Sequence, residues 1–226
     1  MQPNILLCIT VMTCFVSMSQ AQTGINGGKN LQGLNGAPLT PDKITEMVGT
    51  YYYKTVYLPA TLVDASGKEY TNQKVKLNQQ TNQIFYLDKE EKEMESISDI
   101  RKIIFFEGNN TVVFENFYPP IGTMNAGSFY QLIISGKAKL LVNTEFSEVE
   151  YKEFNSAITT KRADKVHQLF GYANGNIIKL RKGETELVEL LKDKSTEVST
   201  FIKQQGLKCK KQSDYETVFN FYNGLK

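Results

Sequence analysis

Few side chains in this sequence are equipped for covalent or acid–base chemistry, and their spacing limits what they can do together. His167 is the only imidazole. A nucleophilic triad would have to use it, yet no Gly-x-Ser-x-Gly turn is present to expose a serine. Within Val166-His167-Gln168-Leu169 it reads as a surface or hydrogen-bonded structural residue of a strand. Cys8 and Cys14 lie in an apolar N-terminal run, so Cys209 is the one thiol downstream. Its setting, Lys208-Cys209-Lys210-Lys211, would lower the pKa of an exposed thiol; the alternative is a small semi-buried residue between two helices. One His and one Cys do not make a zinc set. No phosphate-binding glycine loop sits between a strand and a helix. The sequence therefore asks for no cofactor and no metal.

Carboxylates are the remaining route to catalysis, because glycosidic or acid–base work needs only an acidic pair at a set distance. The densest cluster, Asp88-Lys89-Glu90-Glu91-Lys92-Glu93-Met94-Glu95, mixes both signs and has little apolar cover. It reads as a solvated loop or helical turn rather than a pKa-shifting pocket. Aromatic density stands out instead. Tyr51, Tyr52, Tyr53 and Tyr57 open the series, and Phe114, Phe117 and Tyr118 precede Pro119-Pro120. Phe117 and Tyr118, on a Pro-Pro-Ile-Gly loop, are the candidate partner-binding residues, presenting rings to a peptide, glycan or envelope protein. The same rings would also fill a β core.

The elements that must position these residues are mostly strands. From Thr50 to Lys182 short runs rich in Val, Ile, Tyr and Phe alternate with Gly and Asn clusters. Tyr51 to Leu58, Ala60 to Val63, Lys74 to Leu77 and Ile84 to Leu87 come first, with Asn78 to Asn82 closing one hairpin. Gly108-Asn109-Asn110 separates Lys102–Glu107 from Thr111–Glu115, Gly136-Lys137 offers a type II′ turn, and Asn174-Gly175 joins a third pair. At Gly183 the period becomes helical: Leu187, Leu190 and Leu191 share a face, Val198, Phe201 and Ile202 mark a second helix, and Tyr215, Val218, Phe219 and Tyr222 a third. Ser213 and Glu216 have capping-box spacing, and Gly224 is a stop. The expected fold class is α+β, an antiparallel β-rich body (meander, sandwich or incomplete barrel) over 44–182 with a C-terminal helical cap over 183–226.

The N-terminus carries a different message. Ile5 to Val16 is apolar and Ser19-Gln20-Ala21 places small residues where a signal peptidase reads, so residues 1–21 are expected to be a signal peptide. The apolar run falls short of the roughly 20 residues that span a bilayer as a helix, which argues against a permanent anchor. Residues 22–43, rich in Gly, Asn and Gln, read as a disordered leader. The chain has 226 residues, 41% apolar and 22% charged, with a net charge of +2. That balance gives no reason to expect a nucleic-acid partner.

The turn–strand–turn segment Asn72 to Leu87 and the tail, Leu187 to Leu207 followed by Ser213-Asp214-Tyr215-Glu216-Thr217-Val218-Phe219-Asn220-Phe221-Tyr222-Asn223, resemble a family of uncharacterised exported proteins of Bacteroidetes. The resemblance implies export and a strand-rich body with a helical tail; it implies no activity for any residue. Together these readings predict a noncatalytic binding or structural module, periplasmic, outer-envelope-associated or extracellular. A hydrolase using an Asp/Glu pair and a carrier of a small apolar ligand are the alternatives.

Overall fold

The computed structural model describes residues 36–38, 49–152 and 159–226. The expected signal peptide lies outside these residues, as does the expected leader apart from Gly36–Pro38. Eleven strands form one antiparallel sheet: β1 Gly36–Pro38, β2 Leu58–Asp64, β3 Glu69–Asn78, β4 Gln83–Leu87, β5 Glu93–Ser96, β6 Ile100–Glu107, β7 Asn110–Glu115, β8 Tyr130–Ile134, β9 Ala138–Lys152, β10 Thr159–Ala173 and β11 Asn176–Lys179. Their order is β1-β5-β4-β3-β2-β6-β7-β8-β9-β10-β11. This is a meander with two long-range joins, β1 beside β5 and β2 beside β6, and no second sheet faces it among the described residues.

Alternation along the strands sends one set of side chains to a common face. Val75 lies opposite Tyr86, Leu77 opposite Ile84, Met94 opposite Tyr86, Ile103 opposite Leu62 and Phe114, and Phe105 opposite Ala60. All are buried and form one cluster. Tyr53, Phe105 and Phe114 fill its middle, with ring centroids 4.9 to 5.9 Å apart. The sheet curls over this face. The tip of the β3–β4 hairpin reaches strands five places away in the order: Asn82 Oδ1 accepts from the Phe129 N–H at 2.8 Å, and Gln79 Nε2 donates to Thr144 Oγ1 at 3.1 Å.

The turn chemistry read from sequence holds at two hairpins. Glu107 pairs with Asn110 across Gly108-Asn109, and Ala173 with Asn176 across Asn174-Gly175, whose φ values of 52° and 78° suit a type I′ turn. The third turn is a correction. Ser135 to Lys137 form a longer connection, β8 shifts register against β9 between Leu132 and Ile134, and Asn223 of the third helix bonds beside it. Its Oδ1 accepts from Ala138 N–H (2.8 Å) and its Nδ2 donates to Ala138 C=O (2.9 Å), as a neighbouring strand would. Tyr51 to Leu58 is a second correction. Only Tyr52 makes a bridge there, with Asn78, before β2 begins at Leu58.

Three helices follow, α1 Thr185–Leu190, α2 Ser195–Gln204 and α3 Gln212–Gly224, with a 3-10 turn at Lys192–Lys194 after α1. The apolar stripes are those read from sequence except at Phe201: Leu187, Leu190 and Leu191 with Val198, Ile202, Tyr215, Val218, Phe219 and Tyr222 pack with Leu140, Ala138 and Ala173 of the sheet, whereas Phe201 is half-buried and stacks on Phe221. The capping box does not form. α3 is capped at Lys211, two residues earlier, so Ser213 lies inside the helix and its carbonyl accepts from Thr217; Asp214 accepts from Lys210 N–H instead. No helix among the described residues is long and apolar enough to cross a membrane.

Helix and sheet meet closely at Gly171. A Cβ there would lie 2.5 Å from Leu190 Cδ2 and 3.0 Å from Phe219 Cζ. Gly171→Ala is expected to destabilise by about 1–2 kcal/mol, at the low end for overpacking because the nearer atom is the end of a flexible side chain. Urea denaturation of the two proteins measures it.

Candidate functional site

The two residues singled out as partner-binding do not act together. The loop backbone, left-handed at Phe117, turns Phe117 outside and Tyr118 inside. Phe117 is 67% exposed, at a φ of 70°, with the Arg101 guanidinium 3.9 Å from its ring centroid. Tyr118 is 5% exposed; its ring meets those of Tyr130 and Tyr172 edge to face. An exposed two-ring anchor is thus corrected to one exposed ring and one core tyrosine. Phe117→Ala is expected to shift stability by less than about 0.5 kcal/mol. Tyr118→Phe, which removes a hydrogen bond to an ionised acid, should cost about 1–2 kcal/mol, read from chemical denaturation.

That acid is Glu115, the one carboxylate among the buried residues of the described chain. Its Oε2 accepts from the Tyr118 hydroxyl (2.8 Å) and from Lys139 Nζ (2.7 Å), and its Oε1 pairs with Lys102 Nζ (2.9 Å). Burial alone would push its pKa up, but the hydrogen bonds from Lys139, Lys102 and Tyr118 outweigh that and hold it at about 2. Such a group stays ionised, the opposite of what a general acid needs.

The other sequence candidates are placed as follows. Cys209 is fully buried among the helices, and burial pushes its thiol up to about 11, so its lysine neighbours do not activate it. His167 is exposed on β10, its Nδ1 3.1 Å from Thr144 Oγ1. The acidic run from Asp88 to Glu95 divides, which corrects the loop or helical-turn reading. Asp88 Oδ1 accepts from the backbone of Glu90 and Lys92 in a turn, and Glu93 to Ser96 form β5, with Met94 buried opposite Tyr86. No three His, Cys, Asp or Glu side chains come together as a metal set among the described residues.

A feature the sequence did not disclose lies where the hairpin tip meets β9. A cleft of about 420 Å³ is walled by Gln79, Gln80 and Asn82 of the β3–β4 turn, Thr123, Met124 and Ser128 of the β7–β8 loop, and Asn143 to Phe146 of β9. Partner strand β8 pairs with β9 only as far as Val142, so the β9 edge is open beyond it. Asn143 and Thr144 are 7% and 5% exposed. Asn143 Nδ2 donates to the Phe129 carbonyl at 3.0 Å; Thr144 Oγ1 accepts from Gln79 and meets His167. The available signal was the polar pair Asn143-Thr144 continuing the apolar run Leu140-Leu141-Val142. Glu145 is the only charged residue in the lining.

Compared with family models, curated proteins and solved structures, the chain matches none.

Proposed function

We propose that this protein is an exported, noncatalytic binding module whose contact site is the cleft between the β3–β4 turn and β9. A location in the periplasm, at the outer envelope or outside the cell is supported by the signal-like N-terminus and by the resemblance to exported Bacteroidetes proteins. The observation that carries the reading is the lining: amides and hydroxyls, three of them (Ser128, Asn143 and Thr144) more than nine-tenths buried, around a concavity within the ~300–1,000 Å³ range of ligand sites. These groups hold and orient; they do not transfer protons at neutral pH.

The hydrolase alternative draws less support. It needs two acids converging on one cleft with one of them raised in pKa, whereas Glu115 is driven down and Glu145 lines the cleft alone among acids. The apolar-carrier alternative needs an empty interior, and the concave face is occupied by Tyr53, Phe105 and Phe114. The test is a photocrosslinking side chain in place of Gln80, on the cleft rim, irradiated in native envelopes. Adducts at this position and none at the distant exposed Lys208 are expected. Equal or absent labelling at both, or turnover of a substrate by purified protein, defeats the reading.

A further inference from the structure

The chemistry of the cleft can be narrowed from the way its two asparagines are held. Both are pinned by the same backbone residue. Asn82 Oδ1 accepts from Phe129 N–H at 2.8 Å, and Asn143 Nδ2 donates to Phe129 C=O at 3.0 Å. A backbone N–H only donates and a carbonyl only accepts, so neither amide can turn over without losing its bond and leaving a polar group unpaired. The orientation fixes what remains. Asn82 is left with its Nδ2 donors and Asn143 with its Oδ1 acceptor, neither having another partner among the described residues. The cleft thus holds one fixed donor group and one fixed acceptor on two sides of Phe129, backed by Thr144 and Gln79.

A donor and an acceptor fixed by one backbone residue match groups that are both at once. Adjacent hydroxyls have that property: each gives one hydrogen and receives others. No Lys or Arg lines the cleft, so nothing there favours a phosphate, sulfate or carboxylate, and Glu145 disfavours them. Met124 and Phe146 supply apolar wall for the C–H face of a ring. From these observations we infer, resting on the binding-module reading above, that the ligand is a neutral carbohydrate whose vicinal hydroxyls bridge Asn82 and Asn143.

An extended peptide adding to the open β9 edge is the competing occupant. That edge is short, however. Tyr51 covers one face of the strand beyond the cleft: its ring stands 5.1 Å from that of Phe146, edge to face, and its hydroxyl donates to Glu148 at 2.7 Å. Only Asn143 to Phe146 line the cleft, and every second one turns its backbone outward, which leaves too few hydrogen bonds to hold a strand.

The experiment is calorimetric or NMR titration of the full chain with three probes: neutral oligosaccharides, their uronic-acid counterparts, and an extended uncharged peptide. Asn82→Asp is the diagnostic variant, since it keeps the acceptor for Phe129 N–H while replacing the free donor by an acceptor. Saturable binding of a neutral oligosaccharide, weakened at least tenfold in Asn82→Asp at unchanged melting temperature, is expected. Gln80→Ala, on an exposed turn residue, gives a second reading that does not threaten the fold and should also weaken binding. Binding indifferent to both variants, preference for the uronic acids or the peptide, or no saccharide binding at all overturns the carbohydrate assignment. If crosslinks at position 80 persist in that event, the binding-module reading stands without it.

Discussion

Phe219→Ala is expected to cost about 3–5 kcal/mol, the range for truncating a large buried aromatic ring. Phe219 has no exposed surface, lies on the inner stripe of α3 with Tyr215, Val218 and Tyr222, and approaches the sheet at Gly171. Its ring is replaced by nothing, because the sheet beneath has no side chain at Gly171 to move into the space. α1 to α3 are short and would be marginal alone, so loss of this contact should loosen the tail as a unit. A melting temperature lower by roughly 10 °C is the reading expected for a chain of this size. An unchanged midpoint would show that the helices are not docked. Neighbouring sites should couple: Gly171→Ala, destabilising by itself, should cost less when Phe219 is already Ala, because the added methyl enters the cavity. Phe221→Ala, which loses a stack on Phe201 at 3.9 Å but sits on the outer side of α3, should cost less than Phe219→Ala.

The helical tail was legible because its signal is local. Leu187, Leu190 and Leu191, or Tyr215, Val218, Phe219 and Tyr222, declare a face without reference to the rest of the chain. Hairpin turns at Gly108-Asn109 and Asn174-Gly175 were legible for the same reason, since positive φ at Gly108, Asn174 and Gly175 is a local demand. The β9–β10 ribbon was not. Over Asn143 to Lys152 and Thr159 to Gln168 the two strands pair only with each other, and residues such as Ser147, Glu148, Arg162 and Lys165 are exposed. With only Asn143, Thr144 and Ala163 buried among the described side chains there, the two-residue alternation that marks a half-buried strand is missing. β5 escaped notice because a single apolar residue, Met94, is enough to anchor it beside Tyr86.

The candidate site divides along the same line. Phe117 and Tyr118 were visible as types, but the side each faces is set by the β7–β8 loop, where Phe117 N–H donates to Ala126 C=O at 2.7 Å. The cleft could not be assembled from sequence at all. Asn82 and Asn143 are ordinary turn and strand residues until the curled sheet brings both to Phe129. Hydrogen-bond polarity is a property of the partner, and the partner is distant in the chain.

Glu115→Gln is expected to cost about 2–3 kcal/mol at neutral pH, the magnitude for removing charge-assisted hydrogen bonds from a buried group whose partners retain some water. Lys102 and Lys139 are themselves 41% and 27% exposed, which keeps the value below that of a fully enclosed ion pair. The pH dependence separates charge from shape. The folded-state pKa, about 2, lies below the ordinary 4.5, so the folded form binds this proton less readily than the unfolded form. The contribution is therefore fully present above about pH 4.5 and is lost as the pH falls towards about 2. Glutamine has the same volume and does not titrate, so the stability gap between the two proteins should be constant from pH 7 to about 5 and should narrow below that. Urea midpoints across this range measure it. A gap that stays constant down to pH 3 would mean that Glu115 contributes through packing and neutral hydrogen bonds rather than through its ionised contacts with Lys102 and Lys139.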